Sequence, residues 1–294
     1  MKTKFCDSFE DRIKAGKIAS QAREYGITLL KPGAKYIDVI EAVEKKIIDL
    51  GAGIGFPADL SANNVAAHDT PFPNDERVLE KGDLVKLDLG THINGEVADT
   101  AISVDVGNSG KHNDLIKAAE EGLRAAIETV KPGVKIHKIG KAIQDTITSY
   151  GFVPVANLCG HGVGIYDVHI NPSIPNYDNG DENTLEEGQV IAIEPFATDG
   201  IGLVKQGKMS SIYALLHKRP VRMQSVKQIL DHIEKNYKTL PFAARWLKMR
   251  GAQFALRILE KEGILHQYEQ LPEKSDAMVS QKEHTIIVGH GVIT

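Results

Sequence analysis

The stretch Leu84–Val104, LVKLDLGTHINGEVADTAISV, decides how the rest of the chain is read. At its centre, Asn94-Gly95 is a strong hairpin signal, because a type I′ turn needs positive φ at both central residues and this pair tolerates it. A two-residue loop there sets Ile93 opposite Glu96, Gly90 opposite Asp99, Leu89 opposite Thr100, Leu87 opposite Ile102 and Val85 opposite Val104. Strand alternation then gathers Val85, Leu87, Leu89, Ala98, Ile102 and Val104 on one face and Asp88 and Asp99 together on the other. Asp88 sits opposite Ala101, so Asp99 is its diagonal neighbour, with Cβ atoms about 7 Å apart.

An acid on the outward face of an antiparallel hairpin is ordinarily just solvated. Two carboxylates this close repel, however, and one pKa rises unless a cation lies between them, which makes a metal the sharper reading. What the remainder of the chain adds decides between the two.

At 294 residues, with 42% hydrophobic and 25% charged, the chain reads as an ordinary globular protein with room for one large domain or two modest ones. A net charge of −4 and a pI near 6.3 supply no general attraction for nucleic acid or an anionic membrane and point to a small partner. Two cysteines, Cys6 and Cys159, are too few for a disulfide framework or a CxxC zinc site and fit a reducing compartment. No apolar run reaches the ~18 residues that span a bilayer, and MKTKFCDSFEDRIKAG lacks the apolar core of a secretory signal, so a cytoplasmic location is expected.

Two amphipathic helices precede the hairpin. The first runs from Ser8 to about Leu30 and stops at Lys31-Pro32-Gly33; the second spans Lys35–Gly51 with Ile37, Ile40, Val43, Ile47 and Leu50 on one stripe. The pattern then returns: a helix from about Asp114 to Val130, Lys131-Pro132-Gly133, and a helix ending at Gly151. Such self-similarity can change the whole fold reading. His68-Asp69-Thr70-Pro71 matches His169-Ile170-Asn171-Pro172, and Leu79–Asp88 (LEKGDLVKLD) matches Leu185–Glu194 (LEEGQVIAIE), aligning Asp88 with Glu194. VADTAISV at Val97–Val104 resembles QKEHTIIV at Gln281–Val288, aligning Asp99 with Glu283. The chain therefore reads as α+β, with two related αβ halves, about 1–110 and 111–294.

Between Glu194 and Glu283 the second half holds an extra module. Gln224–Tyr237, Pro241–Gly251 and Ala252–Gly263 each show helical spacing bounded by Pro or Gly, which predicts a helical subdomain over 221–266 inserted at the tip of the second hairpin. Its Arg and Lys residues read as a solvated face.

If the halves pack about a pseudo-twofold, Asp88, Asp99, Glu194 and Glu283 meet at one centre, where four carboxylates cannot all ionise without cations. His161, flanked by Gly160 and Gly162, would ordinarily be a turn residue; beside four acids it reads as a fifth ligand. Four acids and an imidazole suit two divalent metals about 3.5–4 Å apart, bridged by carboxylates, a set that favours Mn, Fe or Co, tolerates Zn and serves hydrolysis. His68 and His169 taken singly read as histidines capping the turn before a proline; as repeat partners near carboxylates they read as groups that hydrogen-bond an oxyanion or a peptide nitrogen.

These residues resemble the metallopeptidases that share the pita-bread fold, and specifically the methionine aminopeptidases of the second type. The resemblance is carried across essentially the whole chain by FPADLSANNVAAH, the Asp88 and Asp99 pair eleven apart, GHGVG with His161, IEPF with Glu194, QKEHT with Glu283, and an insertion containing LPFAARWL. It implies removal of N-terminal methionine from peptides and nascent chains with a small second residue. It further implies Asp88, Asp99, His161, Glu194 and Glu283 as ligands of two metal ions, with Asp99 and Glu283 bridging. His68 and His169 follow as catalytic and substrate-contacting groups, Glu194 as a proton shuttle, and Phe56 and Tyr268 as walls of the methionine pocket. Ile212 stands where certain relatives carry a His, so details of that pocket are open. A monomer is expected, in passing proximity to the ribosome but without an attachment element, and with neither nucleic acid nor membrane as partner. Two other readings share the fold: prolidase or X-Pro aminopeptidase, whose members generally carry a large domain ahead of the catalytic one where only 87 residues precede Asp88 here, and a non-catalytic scaffold, whose members lose ligands that this chain retains.

Overall fold

A computed structural model describes residues 9–294; Cys6 and Ser8, the expected start of the first helix, lie outside the described residues. The first half runs α1 (Glu10–Leu29), α2 (Tyr36–Asp49), β1 (Gly53–Ala62), β2 (Val65–Ala67), β3 (Leu84–Ile93) and β4 (Glu96–Asp105). Helices α3 (Asn113–Thr129) and α4 (Ile136–Ser149) open the second half, followed by β5 (Val153–Pro154), β6 (Cys159–Gly162), β7 (Ile170–Pro175), β8 (Val190–Ile193), β9 (Phe196–Thr198) and β10 (Met209–Leu215). Then come α5 (Gln224–Asn236), β11 (Phe242–Ala243), a 3₁₀ turn (Ala244–Trp246), α6 (Ala252–Lys261) and β12 (Leu265–Glu269). The chain closes with β13 (Leu271–Pro272), β14 (Val279–Gln281), β15 (His284–Ile287) and β16 (Gly291–Val292).

Strands β3 and β4 form the hairpin in the register that Asn94-Gly95 dictates: Val85 faces Val104, Leu87 faces Ile102, Asp88 faces Ala101 and Gly90 faces Asp99. Asn94 and Gly95 adopt φ of 53° and 92°, the left-handed values a type I′ turn requires. Strand β1 pairs with the outer edge of β3. The apolar face of this sheet (Val85, Leu87, Leu89) is buried in one cluster with Ile18, Ala22, Val39, Ile40, Val43 and Ile47 from α1 and α2, the burial that fixes the register.

The duplication is visible bond by bond. The amide of Gly33 donates to Leu79 O at 2.7 Å and that of Gly133 to Leu185 O at 2.8 Å; the amide of Gly82 donates to Val106 O at 2.8 Å and that of Gly188 to Val288 O at 2.9 Å. Helices α3 and α4 bury their apolar stripes (Leu115, Leu123, Ile139, Ile143, Ile147) with Ile191, Ile193 and Ile286 of the second sheet, whose strand order is β16-β15-β8-β6-β7. The two ladders differ in one respect. Leu87 faces Ile102, whereas its counterpart Ile193 faces His284, the counterpart of Thr100. The second register is offset by two residues, which preserves the face of every side chain.

The segment between Glu194 and Glu283 departs from an all-helical module. Helices α5 and α6 form as the spacing predicts, but Pro241–Gly251 supplies β11 and the 3₁₀ turn instead of a helix. Phe242 and Ala243 pair with Tyr213 and Ile212 of β10, and that pairing outweighs a short ambiguous apolar pattern. The resulting sheet, β11-β10-β12, shares a core with the two helices through Tyr213, Ile229, Ile233, Phe242, Leu256 and Leu265. Nor are the basic residues of this segment all solvated: Arg245 is 7% exposed and paired with Glu44. Among the described residues, no helix is long and apolar enough to cross a membrane.

Candidate metal centre

The two halves meet along β4 and the segment that leads into β15. The amide of Glu283 donates to Ala101 O at 3.0 Å, Thr100 Oγ1 donates to Glu283 O at 3.0 Å, and Thr285 Oγ1 lies 2.7 Å from the Asp99 amide and 2.8 Å from its carbonyl. Asp99 and Glu283, repeat counterparts, thereby become neighbours at the seam.

Asp99, His161 and Glu283, all buried, each offer one ligand atom within 4.8 Å of the others. His161 Nε2 also lies 3.7 Å from Asp99 Oδ2 and 3.6 Å from Glu194 Oε1. Nδ1 of the same ring lies 3.1 Å from Gly162 O; with the proton there, Nε2 presents its lone pair to the acids. Gln281 Nε2 donates to Asp88 Oδ2 at 3.1 Å and to Glu194 Oε2 at 3.3 Å.

Burial raises every acid of the cluster: Asp88 is pushed up to about 7, and Asp99, Glu194 and Glu283 stand well above the usual carboxylate range, with their mutual repulsion adding to desolvation. Burial lowers the imidazoles, His68 to about 4 and His161 to about 3, and His169 in the same direction. Among the described residues, buried Asp88 Oδ1, Asp99 Oδ1 and Glu283 Oε2 find no hydrogen-bond partner. Unpartnered carboxylate oxygens converging beside a neutral imidazole are the donor set of an oxygen-rich divalent metal site, and the cluster fits divalent ions.

One cavity gathers the remaining sequence-predicted residues: Phe56, His68, His169, Ile212 and Tyr268 line it together with Asp88, Asp99, His161, Glu194 and Glu283. His68 Nδ1 lies 3.2 Å from Glu269 O, which turns the other nitrogen away from that strand, and the ring stacks edge-on against Tyr268 at 5.3 Å. The His169 ring meets His161 edge-on at 4.3 Å. Phe56 crosses over Gly90, where a Cβ would fall 2.3 Å from its Cε1, so only glycine fits beneath the ring.

Sequence reasoning missed three residues here. Asp59 lines the cavity, 4% exposed, directly across from Asp88, with Oδ1 unpartnered; an acid in FPADLS carries no signal by itself, and only the β1–β3 register brings it to the wall. Gln281 was visible in the QKEHT motif, yet only the fold shows its amide between two acids. Pro241, which comes from the inserted segment, had no signal.

Comparison with known proteins agrees with this geometry. The model of metallopeptidase family M24 matches residues 12–234, and the chain belongs to that family of metal-dependent peptidases. Curated relatives carry a narrower name. The chain is 50% identical over 285 residues to a methionine aminopeptidase of Archaeoglobus fulgidus, covering 97% of each, and 44% identical to one of Methanocaldococcus jannaschii, covering 96% of each. Among solved structures, the methionine aminopeptidase of Thermotoga maritima superposes with a TM-score of 0.71 over 97% of this chain and 96% of that one at 23% identity, which speaks to fold alone. The prolidase of Pyrococcus furiosus gives 0.57 over 67% of this chain and 57% of its own at 30% identity. The architecture is the pita-bread fold.

Proposed function

We propose that the chain is a methionine aminopeptidase of the second type, which removes N-terminal methionine from peptides and nascent proteins whose second residue is small. The observation that carries this reading is the convergence of four acids and one neutral imidazole in a cavity lined also by Phe56, His68, His169 and Tyr268, in a chain whose relatives bear the name methionine aminopeptidase over nearly their full length.

Asp88, Asp99, His161, Glu194 and Glu283 would hold two divalent ions, Mn, Fe, Co or Zn. Bound there, such ions supply Lewis acidity that favours attack of water on the scissile carbonyl. The protein's own groups do the rest. His169, neutral at working pH, donates a hydrogen bond to the carbonyl oxygen as charge develops on it. His68 stands across the cavity beside the peptide nitrogen, and Glu194 accepts the proton of the attacking water and passes it to the leaving amine. Phe56 and Tyr268 enclose the methionine side chain. The second residue lies in the gap between acids and histidines, where only a small side chain fits.

In the same proposal the halves divide at about 110/111, the 221–266 segment is an insertion that walls the cleft, and the enzyme works as a cytoplasmic monomer in passing proximity to the ribosome. Assay of a Met-Ala peptide against an X-Pro dipeptide, with metal restored, tests the reading. Turnover of Met-Ala is expected; preference for X-Pro would move the chain to the prolidase reading, and inertness toward both to a scaffold.

A further inference from the structure

A buried ion pair outside the metal centre links the inserted segment to the first half. Arg245, in the 3₁₀ turn after β11, pairs through Nη2 with Glu44 of α2, and the two are 7% and 6% exposed. Arg245 Nη1 donates to Thr70 Oγ1 at 2.8 Å, and the indole N–H of Trp246 donates to Glu44 Oε2 at 2.9 Å. From these side chains the network reaches the backbone of the cavity wall. Glu44 Oε1 accepts the amide of Ala58 at 3.2 Å, and Thr70 Oγ1 donates to the carbonyl of Ala58 at 2.7 Å.

Ala58 sits where the β1 ladder is irregular, its register with β3 broken between Phe56 and Asp59. Both of its polar groups are satisfied by Glu44 and Thr70, and both of those are held by Arg245. On one side of this clamp lie Phe56 and Asp59 of the cavity wall; on the other, two residues before Thr70, lies His68 with a backbone φ of 65°. Pro241, four residues before Arg245, lines the same cavity. A buried Arg–Glu pair is costly to desolvate and no generic source of stability, so its tie to one stretch of wall calls for another reason.

We infer that Arg245 and Glu44 are positioning residues for the substrate pocket: through Thr70 and the backbone of Ala58, the inserted segment fixes Phe56 and His68 against the first side chain of a bound peptide. The inference deepens the proposed function and rests on reading the cavity as the peptide site. It predicts that loosening the clamp weakens binding of substrate more than it slows turnover of what is bound.

The test is Arg245→Met and Arg245→Lys in the full chain with metal restored, followed by two measurements. Steady-state kinetics on a Met-Ala peptide should show KM raised about tenfold in Arg245→Met, with kcat within about threefold of wild type and metal content unchanged. Arg245→Lys should recover only part of the loss, since an ammonium cannot reproduce the planar fork. Hydrogen exchange by mass spectrometry should show faster exchange over 54–62, with 190–198 unaffected. If Arg245→Met does not fold, the double variant Glu44→Gln/Arg245→Met, which leaves no lone buried charge, takes its place. An unchanged KM, or exchange that is unaltered over 54–62 or raised equally throughout, overturns the inference. A wild type inert toward Met-Ala defeats the functional reading, and the exchange measurement still judges the clamp.

Discussion

Asp88 and Glu194, the equivalent acids of the two repeats, are joined by a single amide: Gln281 Nε2 lies 3.1 Å from an oxygen of the first and 3.3 Å from an oxygen of the second. A donor in that place orients one oxygen of each carboxylate and leaves the other, as at Asp88 Oδ1, facing inward without a partner. Removing the donor should loosen both acids at once. Gln281→Ala is therefore expected to weaken divalent-ion binding by about 10–100-fold, the range typical of groups that orient metal ligands. Calorimetric titration of chelated protein measures it; unaltered affinity would mean that the amide is a bystander.

The stability of chelated protein should depend on pH in a direction set by the acids. Asp88 is raised to about 7, and Asp99, Glu194 and Glu283 are also raised well above the usual carboxylate range, by burial first and by mutual repulsion. Above the ordinary carboxylate range the folded state thus binds more protons than the unfolded one, and stability falls as pH rises through the folded values. The buried histidines, lowered to about 4 at His68 and about 3 at His161, act oppositely, but only below their unfolded value near 6.5. From about pH 6.5 upward the buried lysines, Lys86 lowered to about 7 and Lys282 in the same direction, oppose the acids, which outnumber them. Tm of chelated protein should drop between pH 6.5 and 8.5, and divalent ions should flatten that slope; a Tm that climbs over this window without metal contradicts the assignment of raised acids.

His68→Ala and His169→Ala should separate chemistry from metal binding. Each is expected to lower kcat by about 10²–10⁴, the usual contribution of a positioned acid–base group, with metal content retained. Loss of metal in either variant would instead make that histidine part of the ion's support.

Gly90→Ala tests the pocket wall without touching a charged group. The added Cβ would fall 2.3 Å from Phe56 Cε1, so the ring must move. Overpacking of this kind costs about 1–3 kcal/mol, and the displaced wall should raise KM for Met peptides while the metal stoichiometry stays constant. A variant with wild-type KM would place the methionine side chain away from Phe56.

How much of this was legible in the sequence follows from the range of the interactions. The hairpin could be read because turn chemistry and alternation are local, and its register emerged residue for residue. The repeat then aligned Asp88 with Glu194 and Asp99 with Glu283, which turned a distant contact into a pattern comparison. The reading failed at positions that had neither a repeat partner nor a motif or local signal to mark them. Arg245 looked like a solvated cation because its partner, Glu44, lies 201 residues away; Asp59 reaches the cavity only through an irregular strand register; and Pro241–Gly251 had an apolar spacing that strand pairing with β10 overrode.

The central claim is tested most directly by counting the divalent ions bound by chelated wild-type protein and by Asp99→Ala, in one titration with parallel assay of a Met-Ala peptide. Two ions per chain, with turnover returning as they bind, and loss of both ions and activity in Asp99→Ala, is the predicted result. Equal stoichiometry in the two proteins, or full turnover in wild type with no ion bound, would contradict it.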